Sequence, residues 1–285
     1  MGSVAPRFEP RINHEVYQEN GRYYGTFRKG KYMFPIDETE MDRMDMMHKF
    51  FLVARKDQLH SSPFHNEVNP RTLDLGCGTG IWSIQMADKY SQGYHVGLDL
   101  NYIQPEFIPP NTEFQQKDIE VPWQDLNPGT WDLIHLRSLN GSISNWPRLY
   151  GEIIGHLRPH YGYVEQLEID YIPRSDDGSL KQDSCVLYGL TKQRLADAGF
   201  VDIKEEIIDI ALNGWPGDYH GMELGRWFNL GLTQGLEALS LAPLCRGHNK
   251  SSAEVIALVD RVKEEIRSRR LHAYCTLHIY TARKP

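Results

Sequence analysis

A chain of 285 residues with 40% apolar side chains can bury a substantial core, and it reads as one α/β domain with additions. No apolar run approaches about 20 residues, which excludes a helical membrane span, and a net charge of −7 speaks against general nucleic-acid binding while tolerating a cationic peptide as substrate. Cys77, Cys185, Cys245 and Cys275 are scattered without a C-x-x-C pair, so neither a disulfide framework nor a zinc site is expected, no metal is assigned, and the compartment should be reducing.

Taken in order, residues 1 to about 35 carry aromatic anchors in Gly21-Arg22-Tyr23-Tyr24-Gly25-Thr26-Phe27-Arg28 but no period, and read as an extended arm packed on the body. At Asp37 the pattern turns helical. Asp37-x-x-Glu40 suits a helix cap, and Met41, Met44, Met47 and Phe51 recur at helical spacing, a stripe expected to face the core rather than a ligand. Arg43 and His48 on this helix are candidates for lining a pocket. Arm and helix make a first unit over 1–60.

The core, 61–212, opens with Leu73-Asp74-Leu75-Gly76-Cys77-Gly78-Thr79-Gly80, a short apolar strand that ends in alternating glycines and runs into a helix. Such glycines permit φ > 0 and remove the Cβ atoms that would hold the backbone off a ligand, and the helix points its amide end into the crevice. A dinucleotide site uses G-x-G-x-x-G. Here the third glycine comes one residue early, at Gly80, and Asp74 precedes the first, where a carboxylate repels a diphosphate and attracts an ammonium group. That combination points to S-adenosylmethionine. His95 to Leu100 reads as a second strand ending in Asp99, suited to accept both ribose hydroxyls. Glu113 to Ile119 reads as a third, ending in Asp118, suited to accept from an adenine amino group. The ordered set follows the class I, Rossmann-like methyltransferase pattern. The cofactor residues are then Asp74, Gly76, Cys77, Gly78, Thr79, Gly80, Asp99, Leu100, Asp118, Ile119 and Arg137.

Trp131 to Arg137 is a fourth strand, expected beside the first, which brings His135, Arg137 and Ser138 near the transferable methyl; His135 reads first as a buried structural histidine. A helix with Leu149, Ile153 and Leu157 leads through Arg158-Pro159-His160-Tyr161-Gly162 to a fifth strand, Tyr163 to Ile169. Pro159 between His156 and His160 speaks against a helical metal pair. After a turn at Asp176-Asp177-Gly178, Thr191 caps a helix that stops at Gly199. Val201 to Leu212 and Tyr274 to Tyr280 supply strands six and seven, the latter in the closing piece 273–285. Between them, 213–272 is a helical insertion with Leu224, Trp227, Leu232 and Leu236 on one helix and a capping box at Ser251-x-x-Glu254 opening another. It is expected to be a lid or partner surface, with Trp215, Trp227 and Phe228 as its aromatic candidates and Arg261 to Arg270 as a solvated face. The fold class is thus a seven-stranded, mostly parallel sheet with an N-terminal helical arm and a helical insertion before the last strand. No catalytic residue is assigned, because methyl transfer asks mainly for positioning and exclusion of water; Glu165, Glu168, His135 and Tyr163 are candidates to take a proton.

Asp37 to Asp45 followed by His48, Leu73 to Trp82, Ile103-Gln104-Pro105, Trp131 to Leu136, His272-Ala273-Tyr274, Leu277 to Tyr280 and Ala282-Arg283-Lys284-Pro285 together resemble the LaeA-like methyltransferases of filamentous fungi, from about Tyr17 onward. The resemblance implies a nuclear regulator of secondary metabolism and development that binds velvet-domain proteins and methylates protein, with histone as a proposed substrate. Two places depart from that pattern: the family keeps a Gly or Ala beside the proline in the 158–162 turn, and its connection between Asp177 and Thr191 is longer and helical. Two other readings of the residues stay open, a small-molecule O- or N-methyltransferase of a fungal pathway, located in the cytoplasm, and a cofactor-binding scaffold with little catalysis.

Overall fold

The runs at 72–75, 95–98 and 133–136, mostly apolar and each buried along its length, become the central strands of one sheet in a computed structural model that describes residues 16–63, 67–176 and 190–285. Runs without alternation are what a sheet covered on both faces requires. The arm contributes a hairpin, β1 (Val16–Glu19) and β2 (Arg22–Gly25), and α1 (Glu38–Ala54) follows, capped by the Asp37 side chain on Glu40 N–H. The core runs β3 (Arg71–Leu75), α2 (Ile81–Lys89), β4 (Tyr94–Asp99), β5 (Thr112–Gln116), β6 (Leu133–Arg137), α3 (Trp146–His156), β7 (Tyr163–Arg174), α4 (Leu190–Asp197) and β8 (Val201–Ala211). The insertion is α5 (Tyr219–His248) and α6 (Ser252–Arg267), and β9 (Tyr274–Arg283) closes the sheet.

Strand order is β5-β4-β3-β6-β7-β9-β8, parallel from β5 to β7, with β9 antiparallel to both its neighbours. The chain leaves β3 outward through β4 to β5, then returns to β6 on the other side of β3. Such a reversal leaves a crevice at the carboxyl ends of the two inner strands. Gly76 to Gly80, Asp99 and Arg137 all come from strand ends at this crevice, so the topology assembles what the sequence spaces out over more than sixty positions.

Three elements depart from the expectations. The arm is not merely extended: β1 and β2 pair from Val16↔Gly25 to Glu19↔Arg22, and Arg22 forks onto both oxygens of Asp37 at 2.7 Å, tying the hairpin to the cap of α1. Strand β7 continues past Ile169 to Arg174 because β9 pairs along it through a bulge after Asp170. Helix α5 runs on through Pro243 to His248. An interior proline costs ~3 kcal/mol, but Leu241 and Ala242 of this stretch are fully buried, and Leu241 packs with the equally buried Val255 and Val259 of α6. At about 1.5–3 kcal/mol for each large side chain, that burial outweighs the proline. The insertion is accordingly packed structure. Phe228 is fully buried beside Phe50 of α1, and Trp215 stacks on His272 with its ring N–H donated to Ala273 O. The turn at Asp177-Gly178, the connection to Thr191 up to residue 189, and Cys185 lie outside the described residues.

Candidate active site

The turn after β3 is built for close approach. Gly76, Gly78 and Gly80 all have positive φ, and Gly80, at +78°, forms the start of α2. A Cβ there would lie 2.3 Å from the Phe114 ring of β5, so the third glycine is needed for packing as much as for the turn. Gln104 holds the loop from outside, donating to Gly78 O at 2.6 Å, and Thr79 donates to Asp45 of α1 at 2.6 Å.

Asp99 ends β4 and accepts from Gly78 N at 2.9 Å and Asn101 N at 2.8 Å. Enclosure pushes its carboxyl up to about 6, because the backbone donors only partly offset desolvation. Asp118 lies on the same cavity wall with Ile119, but the ammonium of Lys31 already sits on both of its oxygens, at 2.7 and 2.8 Å, and reaches Glu120 at 3.1 Å. Against the desolvation that raises them, Lys31 holds the Asp118 carboxyl below its ordinary range, and the Ser144 hydroxyl and Asn145 N–H, with Lys31 behind them, do the same for Glu120. The arm therefore closes over the Asp118 end of the crevice, with Lys31, Tyr32 and Phe34 on the wall. Nothing periodic in the arm marks these residues.

Arg137 ends β6 and lines the cavity. It donates to His48 Nδ1 at 3.1 Å and lies over the Phe51 ring, and no carboxylate comes within ion-pair distance among the described residues. Desolvation lowers its pKa to about 10. His48, lowered to about 3 by burial and by Arg137, is neutral, so its Nε2–H donates to Gln85 Oε1 at 3.0 Å. His48 thus steadies Arg137 from behind, while Arg43, forked onto the buried Glu40, reaches the wall as expected.

Two placements correct the sequence reading. Asp74 stands behind the wall: its Oδ1 accepts from His135 Nδ1 at 2.8 Å, its partner in the β3–β6 register. His135 is 1% exposed and stacks on Trp82 with ring centroids 4.0 Å apart, off the cavity wall. Burial lowers the His135 pKa, so the pair is a neutral donor on a carboxylate rather than an exposed acid awaiting an ammonium group. Gly80 also stands off the cavity wall, whereas Gly76, Cys77, Gly78, Thr79, Asp99, Leu100, Asp118, Ile119 and Arg137 line it.

The cavity, about 660 Å³, continues past the glycine turn into a chamber walled by Met44, Met47 and Phe51 of α1, Leu232, Leu236 and Leu239 of α5, and Val262 and Ile266 of α6. The methionine stripe, read from sequence as core, faces the cavity at Met44 and Met47. Of the four proposed proton acceptors, Glu168 alone lines it. Glu165 is spent on Arg55 and on Ser61 and Ser62, Tyr163 packs with Trp82 and Met86, and His135 is sealed.

Residues 40–203 match a family described as a methyltransferase domain. The secondary metabolism regulator LAE1 of Cochliobolus heterostrophus is 49% identical over 94% of this chain and 95% of its own length. The chain belongs to the LaeA/LAE1 family. Other LaeA proteins agree: the secondary metabolism regulator laeA of Aspergillus flavus is 43% identical over 94% of this chain and 78% of its own length, and the protein-methionine methyltransferase laeA of Emericella nidulans 42% over 95% and 77%. Among solved structures, the [4+2]-cyclase SpnF shares the fold at TM-score 0.51 and 18% identity, covering 84% of this chain and 81% of its own, a reminder that this fold alone does not fix a reaction. As a LaeA/LAE1 member this chain is an S-adenosylmethionine-dependent methyltransferase of class I fold.

The residues fit that cofactor. Gly78 has a φ of +55°, which favours glycine, and a Cβ there would come 3.1 Å from Met44 Sδ, so glycine keeps the turn relaxed and its surface flat toward the cavity. Asp99 has acceptor capacity beyond its two backbone donors, and Arg137 offers a guanidinium with no carboxylate of its own.

Proposed function

We propose that this chain methylates protein and so regulates secondary metabolism, with a methionine thioether as the methyl acceptor. In this reading Arg137 takes the cofactor's carboxylate, Asp99 its ribose, and Asp118 with Ile119 its adenine. The observation that carries the choice of acceptor is the chamber: its walls are mainly aliphatic side chains, methionine and Phe51, with Arg43, Tyr171 and Glu168 the polar groups on the same lining. A thioether is apolar and has no proton to lose, whereas a lysine has to shed one against an ordinary pKa near 10.4. Glu168, the one base candidate on the wall, already accepts three N–H groups. The Emericella nidulans relative, named a protein-methionine methyltransferase, supports the same acceptor.

Location in the nucleus and association with a velvet-domain protein are proposed on family membership. The test is transfer of labelled methyl to histones and to a co-purified velvet-domain protein, with the modified residue mapped by mass spectrometry. Label on methionine is the expected result; label confined to lysine overturns it. The apolar surface that α5 and α6 add to the chamber also favours a second reading, a small apolar molecule as acceptor, which predicts label in the solvent extract and none in protein.

A further inference from the structure

Four carboxylates line the cavity: Asp99, Asp118, Glu120 and Glu168. Asp118 and Glu120 share Lys31, and Asp99 is anchored at the end of β4 beside the glycine turn. Glu168 differs. It is 1% exposed, and among the described residues it has no cation within ion-pair distance. Its oxygens are held in place by amide N–H groups instead, two of the backbone and one of a side chain: Oε1 accepts from Leu139 N at 3.1 Å and from Gln166 Nε2 at 3.2 Å, and Oε2 from Asn140 N at 3.2 Å. Gln166 is itself fixed by Tyr150, whose hydroxyl donates to it at 2.6 Å.

This carboxylate is joined to the cofactor turn through one residue. Leu139, whose amide holds Glu168, lies so close over Gly76 that a Cβ there would come 2.6 Å from Leu139 Cδ2. The β6–β7 register pairs Arg137 with Leu167, so Glu168 stands one residue beyond the level of Arg137, at the carboxyl edge of the sheet where the chamber begins. A carboxylate has about four acceptor positions, of which three are used. A buried anion with a free acceptor position and no cation is expensive in itself, and a cationic ligand removes the cost. Burial pushes the Glu168 carboxyl up to about 7, as expected of an acid waiting for a positive charge.

We propose that Glu168 is the fixed anion that faces the positive charge handed from cofactor to acceptor. The proposal rests on the methyltransferase reading of the cavity. When bound, S-adenosylmethionine supplies a methyl on a cationic sulfur, and transfer carries that charge to the acceptor as the acceptor's lone pair forms the new carbon bond and the old bond's pair stays on sulfur. An immobile carboxylate beside the path stabilises charge at both ends without reorganising. For a thioether acceptor the product is a sulfonium among apolar walls, and Glu168 is the group that makes such a product tolerable there.

The test needs no acceptor. Sinefungin carries an amino group where the transferable methyl stands, and S-adenosylhomocysteine has a neutral sulfur and nothing beyond it. Calorimetry on the wild type should show tighter binding of sinefungin, and Glu168→Gln should cut that preference by about tenfold or more, the scale of a hydrogen bond between charged groups. Homocysteine-ligand affinity that stays within about threefold shows that the variant folds and keeps its cofactor site. A wild type with no preference for sinefungin, or a preference unchanged in Glu168→Gln, overturns the proposal. If the wild type binds neither ligand, the cofactor reading falls and the proposal falls with it.

Discussion

Glu165 and Glu168 stand three residues apart on one strand, and replacing Glu165 separates a structural carboxylate from a functional one. Glu165 accepts from Arg55 Nη2 at 2.6 Å, Ser61 N at 2.8 Å, Ser62 N at 2.7 Å and Ser62 Oγ at 3.0 Å, and the Arg55 and Glu165 side chains are 4% and 0% exposed. Arg55 and the serines hold its carboxyl below the ordinary range even though burial works the other way. Glu165→Ala strands a buried guanidinium and two backbone N–H groups. Breaking such a pair costs ~3–5 kcal/mol, and at about 2–4 °C per kcal/mol for a large domain the melting temperature should fall by roughly 6–20 °C. Glu165→Gln keeps one acceptor and should lose less. Thermal unfolding gives the magnitude, and S-adenosylhomocysteine affinity at 10 °C, within about threefold of wild type, shows that the site survives. A Glu165→Ala protein that melts within about 2 °C of wild type but no longer transfers methyl groups would refute this, because Glu165 would then act in the reaction.

Other expected outcomes follow from single observations. Gly80→Ala combines a positive φ with a Cβ 2.3 Å from Phe114, so S-adenosylmethionine affinity should drop at least about tenfold and recover in part when Phe114→Leu is added; full affinity in the single variant would contradict the packing role. On the proposed reading Asp99 accepts ribose hydroxyls as a carboxylate, and its raised pKa of about 6 means that protonation begins well above the ordinary range. Affinity for S-adenosylhomocysteine, whose neutral sulfur presents no charge to Glu168, should therefore be level above pH 7 and decline as pH falls through 6, measured by calorimetry at fixed ionic strength. In Asp99→Asn that decline should disappear. Pro243→Ala should raise the melting temperature, because it restores a hydrogen bond inside α5 while leaving Leu241 and Ala242 buried; a lower melting temperature would contradict this.

The parts legible in the sequence were those written locally. Glycine spacing, the acid closing β4 and the largely apolar runs of β3, β4 and β6 each announce themselves within ten residues, and the usual order of such a fold puts the fourth core strand beside the first. What was not legible depends on register and on distant contacts. That Asp74 turns onto His135 is decided by the pairing of β3 with β6, a contact across 61 positions. That Lys31 covers Asp118 spans 87 positions and comes from an arm without period. Glu165 and Glu168 are three apart on β7 and so point to opposite faces, which sequence parity could reveal; which face meets the cavity follows only from where α1, α3 and the β6–α3 loop come to lie. The α1 methionines carry the same lesson, since helical spacing is identical for a stripe that fills a core and one that lines a chamber.

On the proposed reading the crevice at the ends of β3, β4 and β6 holds S-adenosylmethionine through Asp99 and the glycine turn. Calorimetric titration of the cofactor into wild type and Asp99→Ala tests it most directly. One-to-one binding by the wild type and a loss of at least about tenfold in a variant that unfolds at a similar temperature is the predicted result, the scale expected for a hydrogen-bonding carboxylate. Equal affinity in the two proteins would contradict it.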